Sequence, residues 1–140
     1  MIIDATDLIV GRFATVVAKR ALLGDKVDII NCEKAIVTGK KDFLLSEFKR
    51  KYDQGTHVKG PFVSRMPDRL VRRMIRGMLP YKQERGEKAY KRVMCYISIP
   101  PEFAGKEITK IDGANISKVK NLDYLSIQEV CKHLGAKYKV

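Results

Sequence analysis

The sequence predicts an α/β fold: a three-layer α/β/α domain over residues 1–140, built on a mainly parallel sheet of roughly four strands. Three observations predict it. Short apolar, β-branched runs alternate with longer amphipathic stretches. The first two such runs flank a helical pattern, which is the order of a βαβ unit and a parallel strand pair. The length of 140 residues and a hydrophobic content of 45% are enough for one buried core.

The elements follow in order. "MIID" is a short apolar start, and "VGRFATVVAKRALLG" sets Phe13, Val16, Val17 and Ala21 at helical spacing before closing on Gly24. "KVDIIN" is the second strand. "KDFLLSEFKRKYDQG" reads as a second amphipathic helix with Phe43, Leu44, Phe48 and Tyr52 on one side and Gly55 as its stop. A loop containing Gly and Pro, "GTHVKGPFVSR", leads to an arginine-rich helix, and "YKQERGEKAYKR" is a polar stretch after Pro80. "VMCYISIPP" is the strongest strand signal, ended by Pro100 and Pro101. The tail "NLDYLSIQEVCKHLGAKY" reads as a helix with Leu122, Leu125, Ile127, Val130, Cys131 and Leu134 on its apolar side and Gly135 as C-cap.

Charge is the least ordinary property. Lysine and arginine number 28 against 16 aspartate and glutamate, a net charge of +12. Residues 1–40 contribute 6 basic and 5 acidic side chains, residues 41–92 contribute 15 and 6, and residues 93–140 contribute 7 and 5. The middle segment thus holds +9 of the +12, centred on a basic stretch at about 59–92. A concentrated excess of this kind in a folded chain is the electrostatic footprint of a polyanion site.

Within it, "RMPDRLVRRMIRGM" places five arginines beside one acidic residue, Asp68. At about 100° per residue, Arg65, Arg69, Arg72, Arg73 and Arg76 fall on one helical face about 100° wide. Leu70, Val71, Met74, Ile75 and Met78 fall on the opposite side, wide enough to pack on a core. Pro67 suits the first turn, and Gly77 with Pro80 marks the end. A merely solvated helix interleaves Glu and Lys, because like charges at i and i+4 repel by a few tenths of a kcal/mol. This face has no such relief, so a partner must supply the anions. Arginine's planar fork suits phosphate oxygens and stacks on bases. Lys82, Arg85, Lys88, Lys91 and Arg92 carry the basic surface onward, and Lys40, Lys41, Lys49, Arg50, Lys51 and Lys59 extend it.

Composition excludes several other classes. No apolar run reaches the ~18 residues of a membrane span, and "MIIDATDLIVGR" lacks the basic start and apolar core of a signal peptide, which predicts a cytoplasmic protein without a membrane partner. Cys32, Cys95 and Cys131 are odd in number and far apart, so they read as reduced, buried thiols. His57 and His133 are isolated, no Cys or His spacing suits a metal, and "TGKK" is not a phosphate-cradling loop. The expectation is therefore no enzyme, no metal, no cofactor and no small-molecule substrate. No helix-turn-helix, finger or basic zipper is visible, so structured RNA held by backbone and shape fits the surface better than DNA reading.

The run Ile75, Gly77, Met78, Leu79, Pro80, then five residues, Gly86 and Glu87, then five more and Val93, resembles the signature of the large-subunit ribosomal protein L-thirteen family. "DATDLIVGRFATVVAK", "VDIINCEKAIVTGKK" and "YLSIQEVCKHLGAKY" agree with it in order across the chain, and "LPYKQERG" is similar to the archaeal and eukaryotic branch. Tyr81 and the local choice of basic residues depart from the pattern. The resemblance implies an α/β/α domain that binds large-subunit rRNA beside neighbouring ribosomal proteins and supports subunit assembly. It implies that Arg76, Gly77, Lys82, Arg85 and Gly86 face RNA, while Met78 and Leu79 pack. For Gly77 and Gly86, close approach of backbone to phosphate and a role in capping or turning the chain are both open.

Overall fold

The computed structural model describes residues 1–109, 111–119 and 123–138. Strands β1 (Ile2–Asp4), β2 (Val27–Ile30) and β4 (Val93–Cys95) form a parallel sheet in the order β1-β2-β4, pairing Ile3 with Ile29 and Asp28 with Met94. Helix α1 (Val10–Leu23) makes the β1–β2 crossover, so the predicted βαβ unit is present. Its left-handed end at Gly24, φ 112°, lets the Gly24 and Asp25 amides reach the carbonyls of Ala21 and Arg20.

All four residues of β2 are buried. Because side chains alternate across a strand, this central strand is covered on both faces. Ile3, Val27, Ile29 and Val93 share the main core with Phe13, Val17, Val71, Ile75 and Val130. Fully burying each such side chain is worth about 1.5–3 kcal/mol, and most of the fold's stability lies here.

Two strands lie apart from this sheet. β3 (Ile36–Thr38) pairs antiparallel with β5 (Tyr124–Ser126), so the expected single sheet of about four strands is three parallel strands plus a separate two-stranded ribbon. The difference arises in the tail, where the expected long helix is shorter. Ser126 accepts from the Glu129 amide while Glu129 accepts from the Ser126 amide, a reciprocal cap that starts α5 (Ile127–His133) and frees Tyr124–Ser126 to pair. Leu125, Ile127, Val130, Cys131 and Leu134 are buried as expected, and Leu122 lies outside the described residues. Gly135 takes φ 82° just past the helix.

Helix α2 (Lys41–Asp53) is where expected, but Phe43 is exposed while Leu44 is buried and Phe48 and Tyr52 pack against the core. Val16 on α1 and Met78 are also exposed, since Val10, Ala14 and Ala18 complete the buried stripe of α1 and the chain turns away at Met78. The polar stretch after Pro80 contains a helix, α4 (Glu84–Lys91), that hydrophobic periodicity did not reveal. Cys32, Cys95 and Cys131 are free and buried.

Candidate nucleic-acid interface

Helix α3 (Pro67–Gly77) begins with Pro67 in its first turn, where no intrahelical donor is needed, and buries Pro67, Leu70, Val71 and Ile75. That side meets α1, α5 and β4. The arginine side faces outward, but the five arginines occupy four different situations.

Arg69 and Arg73 are exposed, with no anion, hydrogen-bond acceptor or aromatic ring against them among the described residues. Arg76 is half-buried, its guanidinium 4.3 Å from the Tyr81 ring centroid and its Nε without a hydrogen-bond partner among the described residues. Arg72 is engaged inward. Its Nε donates to the Val93 carbonyl at 2.9 Å, its Nη2 to the Tyr90 carbonyl at 3.4 Å, and its guanidinium lies 4.4 Å from the Tyr90 ring centroid. It thereby satisfies carbonyls at the end of α4 and ties α3 to β4. Arg65 precedes the helix, and its Nη1 donates to the Gly135 carbonyl at 3.3 Å.

The residues beyond Pro80 divide in the same way. Lys82 and Arg85 are exposed without an anionic partner among the described residues. Lys88 pairs with Glu84 at 2.7 Å and Lys91 with Glu87 at 2.8 Å, both at i,i+4 on α4. The Lys91 ammonium holds the Glu87 carboxyl below the usual carboxylate range, and Glu87 raises Lys91 in turn. These pairs are solvent-exposed and add little to stability, but they occupy the lysines' charge. Arg92 is half-buried and donates from Nη1 to the Ala21 carbonyl at 3.2 Å, closing the end of α1. On α2, Arg50 and Lys51 pair with Glu47, and Lys49 pairs with Asp53. Lys40, Lys41 and Lys59 are exposed.

The two glycines separate. A Cβ on Gly86 would stand 2.1 Å from the Pro80 carbonyl oxygen and 2.9 Å from the Tyr81 nitrogen, so Gly86 is what lets α4 press against the 80–81 turn. Its hydrogen is spent on an internal contact. Gly77 has ordinary helical backbone, is exposed, and would place a Cβ in open space. No packing among the described residues asks for glycine there.

Beside α3, the loop residues Pro61, Phe62, Val63 and Ser64 complete a groove of about 560 Å³ with Arg69, Leu70, Arg72, Arg73, Arg76 and Tyr90. Sequence reasoning missed Phe62 and the tyrosines that orient Arg72 and Arg76. It also missed α4, for which the Glu84–Lys88 and Glu87–Lys91 spacing was an available signal. No group of three or more His, Cys, Asp or Glu among the described residues is placed to hold a metal, and no helix among them is long and apolar enough to cross a membrane.

Comparison with known proteins gives this surface its context. Residues 1–102 match the family model "Ribosomal protein L13". The large ribosomal subunit protein uL13 of Archaeoglobus fulgidus is 42% identical over 135 residues, covering 96% of this chain and 86% of that protein. Its counterpart in Methanopyrus kandleri is 43% identical over 136 residues, with the same coverage of each chain. That of Methanococcoides burtonii is 39% identical over 137 residues, covering 98% and 99%. The family is one of structural components and not of enzymes. With the full-length similarity added to the parallel α/β core and the motif from Ile75 to Val93, the chain belongs to the ribosomal protein L13 family.

Proposed function

We propose that this chain is a structural constituent of the large ribosomal subunit, a single domain over residues 1–140 that binds large-subunit rRNA and supports subunit assembly. The observation that carries the reading is the outer side of α3, where Arg69, Arg73 and Arg76 stand with no anion among the described residues. Three guanidinium groups within about two helical turns repel one another, and phosphate oxygens relieve that repulsion while releasing counterions. Lys82 and Arg85 extend the contact, and Gly77 gives an RNA backbone room to approach.

The remaining residues of the basic segment act differently. Arg72 and Arg92 chiefly hold α3, α4 and α1 in register, and Arg65 shares its charge with the Gly135 carbonyl. Lys88 and Lys91 bring Glu84 and Glu87 with them, so these two lysines offer RNA little net attraction. The protein works on cytoplasmic ribosomes beside neighbouring ribosomal proteins, with no cofactor, small-molecule substrate or membrane partner. Its role is architectural: it neutralises phosphates of RNA segments that otherwise repel and fixes one arrangement of them.

Sedimentation of cell extract through a high-salt sucrose gradient, with the protein followed by mass spectrometry, tests this reading. Comigration with the large subunit after the salt wash is expected. Recovery at the top of the gradient would contradict it in favour of an RNA-binding module acting off the ribosome.

A further inference from the structure

We propose that the groove beside α3 receives one unstacked nucleotide, with Phe62 as the platform for its base and Arg69 and Arg73 as the clamps for its phosphates. This rests on the RNA-binding reading and adds to it which form of RNA enters, and where.

Phe62 is 77% exposed, the most exposed large apolar side chain among the described residues. It is also placed: Gly60, with φ 80°, would bring a Cβ within 3.1 Å of the ring carbons, so the ring lies against bare backbone on one side. The other two aromatic rings near the arginine face already carry a cation, Tyr90 under Arg72 and Tyr81 under Arg76. Phe62 has no ring or cation against it among the described residues. The groove's 560 Å³ falls in the range of about 300–1,000 Å³ that holds small ligands.

A duplex presents phosphates to a basic surface and gives an exposed ring nothing to do. An unpaired nucleotide presents both a phosphate and a π-face, and recognition of unstacked bases rests on aromatic stacking beside cationic groups. A protein segment would match an apolar ring but would have to meet Arg69, Arg73 and Arg76 with carboxylates. The observed combination of one free ring with several unpaired guanidiniums favours the nucleotide.

The test uses the full-length protein and two fluorescent probes of equal length: a short oligoadenylate, and the same sugar–phosphate strand with abasic sites throughout. Anisotropy titrations at fixed salt compare wild type, Phe62→Ala, Phe62→Tyr and the double variant Arg69→Ala/Arg73→Ala. Wild type is expected to prefer the base-bearing strand by about tenfold, from the stacking of one base. Phe62→Ala is expected to abolish that preference without changing affinity for the abasic strand, and Phe62→Tyr to retain it.

No preference in wild type, or a preference that survives Phe62→Ala, would overturn the proposal. So would unchanged binding of both strands by Phe62→Ala together with reduced recovery in the large subunit, which would assign the ring to a protein neighbour. The arginine pair separates this from the parent reading. Loss of both strands in Arg69→Ala/Arg73→Ala upholds the RNA face whatever Phe62 does, whereas unchanged binding of both in that variant removes the face itself.

Discussion

Helices α3 and α4 meet where Arg72 lies over Tyr90, and each carries several cations: Arg69, Arg72, Arg73 and Arg76 on one, Arg85, Lys88 and Lys91 on the other. On α4, Glu84 and Glu87 sit in the first turn and each pairs with a lysine one turn later. Those carboxylates favour the positive end of the helix dipole and the lysines its negative end, so both lysines are satisfied within the helix and only Arg85 is left over. On α3 the single acidic residue, Asp68, offsets little, and the cations are either turned inward onto carbonyls, as Arg72 is, or left without an anion. The contrast teaches that density of basic residues marks an interface less well than the absence of local partners does.

Several substitutions break or sharpen this contrast. The largest effect on stability belongs to Gly86→Ala, whose Cβ collides with the 80–81 turn and forces α4 away from it. Overpacking of that kind costs about 1–3 kcal/mol, to be read as a lowered midpoint in urea denaturation. Arg72→Ala comes next at about 1–2 kcal/mol, because the Val93 carbonyl loses its side-chain donor, the Tyr90 carbonyl keeps only its backbone donor and the Tyr90 ring loses its cation. The same measurement on Arg73→Ala should move by less than about 0.5 kcal/mol, since Arg73 is exposed and contacts nothing that it stabilises.

Gly77→Ala divides stability from function. With open space around the new Cβ and ordinary helical backbone, it should raise stability by about 0.5–1 kcal/mol. A filter-binding assay should nevertheless find weaker rRNA binding, because the methyl group occupies the approach left open to phosphate. The smallest effect on RNA binding falls on Lys88→Ala/Lys91→Ala: both lysines are held by carboxylates of their own helix, so filter binding should find RNA affinity changed less than in any pair of α3 arginines.

The core on which α3 packs responds to pH through Cys131 of α5. Burial, with the charge of Asp68 added, pushes the Cys131 thiol from 9.0 up to about 12. The folded chain therefore keeps a proton that the unfolded chain loses. This stabilisation is complete below about pH 9 and disappears as pH rises toward 12, so the urea midpoint should fall between pH 9 and 11. At pH 8 a thiol reagent should leave Cys131 unmodified until denaturant is added, since only the thiolate reacts.

Much of the fold was legible because periodicity records which side of an element meets the core. Phe13 and Val17 on α1, and Leu70, Val71 and Ile75 on α3, were read correctly from spacing alone. What stayed hidden depends on tertiary partners. The three-residue strand β5 is visible only as the partner of β3, and in sequence its Leu125 continues the apolar rhythm of α5. Helix α4 buries only Gly86 and Ala89, too little for a hydrophobic stripe. At the candidate site, spacing placed the arginines on one face but not their partners. That Arg72 reaches the Val93 carbonyl, and that Gly86 faces the turn at Pro80, follows from α4 folding back on α3 across a distance no local pattern encodes.

The central claim is that unpaired guanidiniums on α3 contact rRNA phosphates. Its most direct test is the salt dependence of binding to large-subunit rRNA for wild type and for a folded Arg69→Ala/Arg73→Ala/Arg76→Ala variant. Each lost contact should flatten the slope of log affinity against log salt by roughly 0.7–0.9, so the variant should lie about two to three units shallower as well as binding more weakly. An unchanged slope and affinity in the variant would contradict the account and place the RNA-binding surface elsewhere on the molecule.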